Sequence, residues 1–281
     1  MVLLLQYTLI FASVLMLVAL GGCFAERSGV INIGLEGIMV IGALGGALVM
    51  KFLPVSVGAP VMVISTILAA AVFGMLYSLL LAVAAINYKA DQTITGTAMN
   101  MLATAGATVA VKAMNTAASG GNDVSSDISY VHTKDLFLVR LGNFEFSWFM
   151  LVAVICLVVS YVLLYKTKFG LRLRACGEHP QAADSVGINV RRMKYLHICL
   201  GCGIMGIGGY YMGLNMSGSF NSSCWINGYG WIAVALVIFA NWNPAFAILG
   251  TFVFGFFNTL RVSGTSLAAA FPGILGWMAD I

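Results

Sequence analysis

Residues 60–86 read PVMVISTILAAAVFGMLYSLLLAVAAI, with no charged side chain anywhere in the run. A bilayer-spanning helix needs about 20 mostly apolar residues, and this stretch exceeds that length. A second uninterrupted run occupies Leu3–Leu20. Over all 281 residues the chain is 60% hydrophobic and only 9% charged. A soluble domain carries about 25% charged residues, and no soluble fold of this size has enough interior to hide so much apolar surface. Lipid solvates it instead. In lipid every backbone N–H and C=O must be paired within the chain, which leaves helices or a closed barrel. Barrel strands alternate apolar and polar residues; these runs are continuous. The chain is therefore an all-α polytopic membrane protein.

Working outward, further apolar segments read as spans. These are Val2–Ala25, a glycine-rich Leu35–Phe52, Val57–Asn87, a Thr/Gly/Ala-rich Thr93–Met114, Phe146–Tyr165 and Tyr195–Met216. Two shorter stretches, Trp231–Ala240 and Ala245–Leu260, are split by Asn241-Trp242-Asn243-Pro244. At 1.5 Å per residue the first covers about 15 Å, half the hydrocarbon core, and predicts a half-helix or re-entrant segment; the pair is one broken span or two. The sequence thus predicts about seven to nine membrane segments, some broken or re-entrant, in one transmembrane domain over 1–281. Leu3–Leu20 has neither a positive leader nor an A-x-A-like cleavage site, so it reads as retained.

Charge sets the orientation. Residues 166–194 hold Lys166, Lys168, Arg172, Arg174, Arg191, Arg192 and Lys194 against Glu178 and Asp184, half of the chain's 14 Lys and Arg residues. Residues 115–145 hold Asp123, Asp127, Asp135 and Glu145 against Lys134 and Arg140. The positive-inside rule assigns 166–194 to the cytoplasm, and the one intervening span makes 115–145 external. Counting back puts the N-terminus outside, provided the polar break near Glu26 does not alter the count.

Several chemistries are excluded. The net charge of +4 comes from the loop cluster and is no nucleic-acid signal. Cysteines stand at 23, 156, 176, 199, 202 and 224. Cys199-x-x-Cys202 lies in an apolar run with no second pair, whereas a structural zinc site needs four ligands; the cysteines read as small buried helix residues. His132, His179 and His197 are far apart. No G-x-x-x-x-G-K-[ST] occurs, so the chain supplies no ATP hydrolysis of its own, and no acid–base pair or nucleophile elbow appears at working spacing.

The basic loop reads FGLRLRACGEHPQAADSVGINV over 169–190. Pro180 suits the first turn of a helix, Gln181 to Val186 can continue it, and Gly187 can end it in a left-handed cap. Its wording resembles the coupling-helix segment of bacterial ABC importer permeases for sugars, nucleosides and branched-chain amino acids. Gln181-Ala182-Ala183 followed by Gly187 resembles the E-A-A-x-x-x-G core, with Gln in place of Glu. The whole stretch resembles the nucleoside-type branch, in the shorter of its two permeases. The resemblance implies that 178–187 docks on an ATPase subunit. It implies coupling roles for Gly170, Arg172, Arg174, Glu178, Pro180, Gln181, Ala182, Ala183 and Gly187.

Three more segments resemble the same family. Glu26-Arg27-Ser28-Gly29-Val30-Ile31-Asn32-Ile33-Gly34-Leu35-Glu36-Gly37, ending at Met39, resembles E-R-x-G-V-x-N-x-G-x-E-G-x-M, which breaks the second membrane helix at mid-bilayer. Charged groups in a membrane are costly unless paired or wetted and point to function, and broken helices line substrate paths. Asn32 and Glu36 are the candidates to face such a path; Glu26 and Arg27 either join it or lie at the interface. Asp91–Leu102 resembles a helix start ending in G-x-A-x-N-x-L, where Asn100 makes either a helix–helix hydrogen bond or a substrate contact. Gly230–Pro244 resembles G-x-x-x-I-A-x-x-I-F-x-x-W-x-P, with Asn241 where a basic residue is frequent; Trp231, Asn241 and Trp242 join the path candidates. One further apolar span is expected after Trp277–Ile281, where the sequence given stops.

The resemblance implies an importer permease fold and a multi-pass bacterial cell-membrane protein working by alternating access. Its implied partners are a second permease in a heterodimer, a cytoplasmic ABC ATPase, an external substrate-binding lipoprotein and the bilayer, with no nucleic acid. No cofactor binds this chain; ATP and magnesium sit on the ATPase. Nucleosides lead as solutes, with riboflavin and simple sugars as alternatives. An ion-coupled secondary transporter or channel is the rival class, disfavoured because it needs no docking helix. A membrane enzyme is the third.

Overall fold

A computed structural model describes residues 2–54, 56–130, 137–141, 144–216, 219–221, 226 and 228–262, without the side chains of 2, 3, 140, 141, 144 and 216. His132, Lys134, Asp135, Cys224 and Trp277–Ile281 lie outside the described residues. The chain runs α1 (Val2–Arg27), α2 (Leu35–Phe52), α3 (Ala59–Ala82, closed by a π turn at Val83–Asn87) and α4 (Gln92–Ala118). Short strands follow: β1 (Asp127–Ser129), β2 (Leu138–Leu141) and β3 (Phe144–Ser147). Then come α5 (Trp148–Lys166), α6 (Lys168–Glu178), α7 (Pro180–Ser185), α8 (Val190–Met216), β4 (Ser219–Asn221), α9 (Tyr229–Phe239) and α10 (Pro244–Val262). Among the described residues, 7 helices are long and apolar enough to cross a membrane, and α9 is a shorter apolar helix.

On the outer helices α3 and α10 the packing inverts that of a soluble bundle. On α3 the inward stripe is Met62, Thr66, Ala70, Gly74 and Ser78, while the exposed one is Val61, Ile64, Leu68, Val72 and Leu76. On α10 Ala247, Thr251, Gly255 and Thr259 face in and Phe246, Leu249, Val253 and Phe257 face out. Lipid tails are as apolar as Leu, so helices associate through close contact of small residues rather than by burying large ones. The helix at the centre is α8. Its Gly206 backbone meets Gly42 of α2 and Gly74 of α3, and its Gly201 meets Gly21 of α1. A side chain at any of these would enter a neighbouring backbone. Most of α1 is buried too, between α8, α10, α5 and α9.

The two ends of the bundle differ. At the end carrying the acidic segment, β1 pairs antiparallel with β4, and β2 with β3. Buried Asn115 there accepts from Lys51 Nζ at 3.0 Å and donates to the Asp127 carbonyl at 2.8 Å. Gln6 of α1 reaches Glu145 at the same end, so α1 starts beside the acidic segment and ends beside the basic one.

The basic segment is almost wholly helical rather than a loop around one short helix. Thr167 caps α6 by accepting from Gly170 N, and Gly170, Leu173 and Cys176 give α6 a buried face. Asn189 accepts from Arg192 N at 2.9 Å, which starts α8 at Val190, ahead of the Tyr195 expected from hydropathy alone. A Ser, Thr or Asn side chain before a helix satisfies first-turn N–H groups left unpaired, and hydropathy does not register it.

Candidate functional site

Between α1 and α2 the chain is non-helical from Ser28 to Gly34. Ser28, Gly29 and Val30 N–H groups turn back onto the end of α1, and side chains meet several of the backbone groups beyond them. Asn100 of α4 accepts from Gly37 N at 2.7 Å and donates to the Ile33 carbonyl at 3.0 Å. Gln92 accepts from Ile31 N at 2.6 Å. Asn32 is fully buried; its side-chain Oδ1 accepts from Gly34 N at 3.0 Å, and its Nδ2 points at Cys202 Sγ and Met205 Sδ of α8. Gln92 is the first residue of α4 and Asn100 lies eight residues further, about 12 Å along its axis, so the break runs from the basic end at Gly29 inward to Ile33.

Glu36, half-buried in the first turn of α2, accepts from Gly228 N at 3.3 Å. Gly228 is the N-cap of α9, and Gly230 packs directly on the Glu36 backbone. The half-helix therefore starts at the break, with the positive end of its dipole beside a carboxylate. Trp231 follows in the same turn, 50% exposed. On the other side of α9, Tyr229 donates to Asn258 Oδ1 at 3.2 Å, and Arg261 also reaches Asn258.

Asn241 and Trp242 sit elsewhere. They form the α9–α10 turn, both in the left-handed region at φ 49° and 54°. Arg27 Nε donates to the Trp242 carbonyl at 3.1 Å and Arg27 Nη2 to the Asn241 carbonyl at 3.4 Å. The Trp242 indole donates to the Glu26 carboxylate. Arg27 also reaches the Tyr165 hydroxyl at 3.3 Å. The length of α9, about 16 Å, separates this clamp from Glu36. Of the six path candidates, Glu36, Asn100 and Trp231 gather around the break and the start of α9. Asn32 is turned inward as a brace, and Asn241 and Trp242 close the basic end.

In the basic segment α7 runs from Pro180 to Ser185, and Gly187 beyond it turns the chain at φ 81°. Gly187 N donates to the Asp184 carbonyl and Ile188 N to the Ala183 carbonyl, at 2.9 and 3.1 Å; this pair of bonds is the Schellman cap. Gln181, Ala182, Asp184, Ser185 and Val186 are exposed and Ala183 is buried. Glu178 and Arg172 are exposed, Arg174 lies over the Tyr165 ring at 5.0 Å, and Gly170 rests on the Leu163 and Leu164 carbonyls. Burial pushes the Cys176 thiol above its ordinary value, with Lys194 pulling the other way. His197 is stacked between Phe24 and Phe169, its Nδ1 on the Met193 carbonyl. Sequence reading missed the seat of α6: Gly177 lies against Gly29 and the Arg27 carbonyl. The glycines were visible, but nothing local paired them.

A bundle with a helix break, a half-helix that starts inside it and runs to the basic end, and an exposed capped helix at that end defines a transport permease. Residues 4–277 match the family described as branched-chain amino acid transport system / permease component, and the chain belongs to it. It is similar to the guanosine ABC transporter permease protein NupQ of Bacillus subtilis, 39% identical over 92% of this chain and 82% of the relative. It resembles the nucleoside ABC transporter permease protein NupC of Lactococcus lactis, 35% identical over 95% and 83%. A putative glucose ABC transporter permease of Haloferax volcanii is 31% identical over 95% and 79%. No solved structure matches. The chain is thus an integral membrane permease subunit of an ABC importer, working with a separate ATPase and a substrate-binding partner.

Proposed function

We propose that this permease carries nucleosides, by alternating access along a path that passes Glu36, Asn100 and Trp231. The observation that carries the path is the meeting of the α1–α2 break with the start of α9 at a half-buried carboxylate, deep in the bundle. Discontinuous helices at mid-membrane are where transporters bind and pass solutes. An amide, a carboxylate and an indole suit a polar ribosyl heterocycle, and the names of the two bacterial relatives support that cargo. Riboflavin and simple sugars are the alternatives.

In this reading the basic end is cytoplasmic and the acidic end external. The exposed face of α7, with Pro180, Gln181, Ala182 and Gly187, docks on the ATPase, where ATP and magnesium bind; Glu178, Arg172 and Arg174 flank it. Gly170 and Ala183 support it from below. A second, different permease covers α4. Only one stripe of α4 is buried, and the rest is a wide exposed face on which Thr93, Thr104 and Lys112 stand among Ile94, Met101, Leu102 and Val109, mixed as a protein-facing surface is. The external substrate-binding partner is a lipoprotein that delivers the solute to the acidic end.

The deciding experiment is uptake of labelled guanosine, riboflavin and ribose by cells with and without the gene, before and after ATP depletion. Loss of ATP-dependent guanosine uptake alone is the expected result. Loss of riboflavin or ribose uptake instead would replace the cargo.

A further inference from the structure

The contact between Gly177 and Gly29 joins the two parts of the molecule that the transport reading requires to communicate. Gly29 holds φ 77°, and a Cβ there would lie 3.2 Å from both the Gly177 Cα and the Gly177 carbonyl oxygen. A Cβ on Gly177 would run into the Arg27 carbonyl. Two backbones therefore touch directly, with no side chain between them to absorb a displacement.

On one side of this contact, α6 and α7 form a single hydrogen-bonded piece. His179 N donates to the Ala175 carbonyl and Ala183 N to the His179 carbonyl, both at 3.0 Å. At its other end α6 rests on the α5 carbonyls at Gly170. A helix held at Gly170 and pushed through α7 delivers its movement at Gly177. On the other side, Gly29 opens the stretch whose groups hold Gln92, Asn100 and α8, and which leads within seven residues to Glu36 and the tip of α9.

We infer that the Gly177–Gly29 backbone contact is the joint through which movement of α7 reaches the α1–α2 break. Both glycines are positioning residues; neither touches solute. The inference rests on the reading that α7 docks on the ATPase.

The test uses the whole transporter, reconstituted in liposomes with its ATPase and substrate-binding partner, and follows ATP hydrolysis and guanosine uptake together. Gly177→Ala is expected to leave hydrolysis within about twofold and to lower uptake about tenfold or more, as loss of a coupling free energy between sites would. Equal loss of both rates, or no loss of either, overturns the joint. Should the variant fail to accumulate, amide exchange in the wild-type transporter decides. On ATP binding, protection over 28–34 is expected to change along with that over 175–187; a change confined to 175–187 overturns the joint. Gly187→Arg separates the underlying reading, because it is expected to release the ATPase from the membrane complex. If the ATPase stays bound and coupled in that variant, the docking reading fails and the joint with it.

Discussion

Glu36 accepts a hydrogen bond from the backbone at the start of the half-helix, and a bond to a charged group contributes about 1.5–3 kcal/mol. Glu36→Gln keeps the shape and removes the charge. Uptake by this variant is expected to fall about tenfold or more while its level in the membrane stays at that of the parent; unchanged uptake would remove Glu36 from the path. Cys176 gives a pH-dependent prediction. Its thiol is fully buried on α6 and held above the ordinary value by that burial. Maleimide labelling should therefore stay slow as pH rises through the ordinary thiol range and quicken only beyond it. The sign for stability follows. A thiol that titrates higher in the folded than in the unfolded chain contributes stability that is complete below the unfolded value and lost as pH climbs toward the folded one. Rapid labelling of Cys176 at neutral pH in the resting permease would contradict the packing of α6.

Among the elements, α8 carries the most demanding seams, because its glycines let three helices approach to backbone contact. Gly206→Leu should prevent α2 and α3 from closing on it, and the protein should be cleared from the membrane; normal accumulation of this variant in a membrane fraction would show that the seam is dispensable. The spans themselves were legible because continuous apolar runs write their own lengths: Leu35–Phe52 coincides with α2 end to end. The half-helix was legible from its shortness, and α7 from Pro180 and Gly187. What hydropathy could not read was α6, whose arginines and lysine look like a loop while three buried positions make it a helix. Nor could it divide the path candidates. Asn241 and Trp242 find their partners on Glu26 and Arg27, and Asn32 finds its own on α8, through contacts between residues far apart along the chain.

For the molecule as a whole, the face of α4 is a broad exposed surface of mixed polarity. If a second permease covers it, a cysteine at Thr104 should cross-link to that subunit with a short bis-maleimide in native membranes. A product consisting of two copies of this chain would make the pair a homodimer. Absence of any product would leave α4 facing lipid and remove the proposed partner surface.

The clamp at the α9–α10 turn also bears on how the protein is made. Arg27 and Trp242 are 215 residues apart, so for most of synthesis the first helix waits in the bilayer with a carboxylate and a guanidinium that lack these later partners. Charges near a helix end reach the interface, so what these groups lack is their fixed partners rather than solvation. A nascent chain cut short before the turn would expose both, an unpaired mark by which quality-control proteases could tell an unfinished permease from a finished one. Completion of the turn removes the mark at the moment α10 begins.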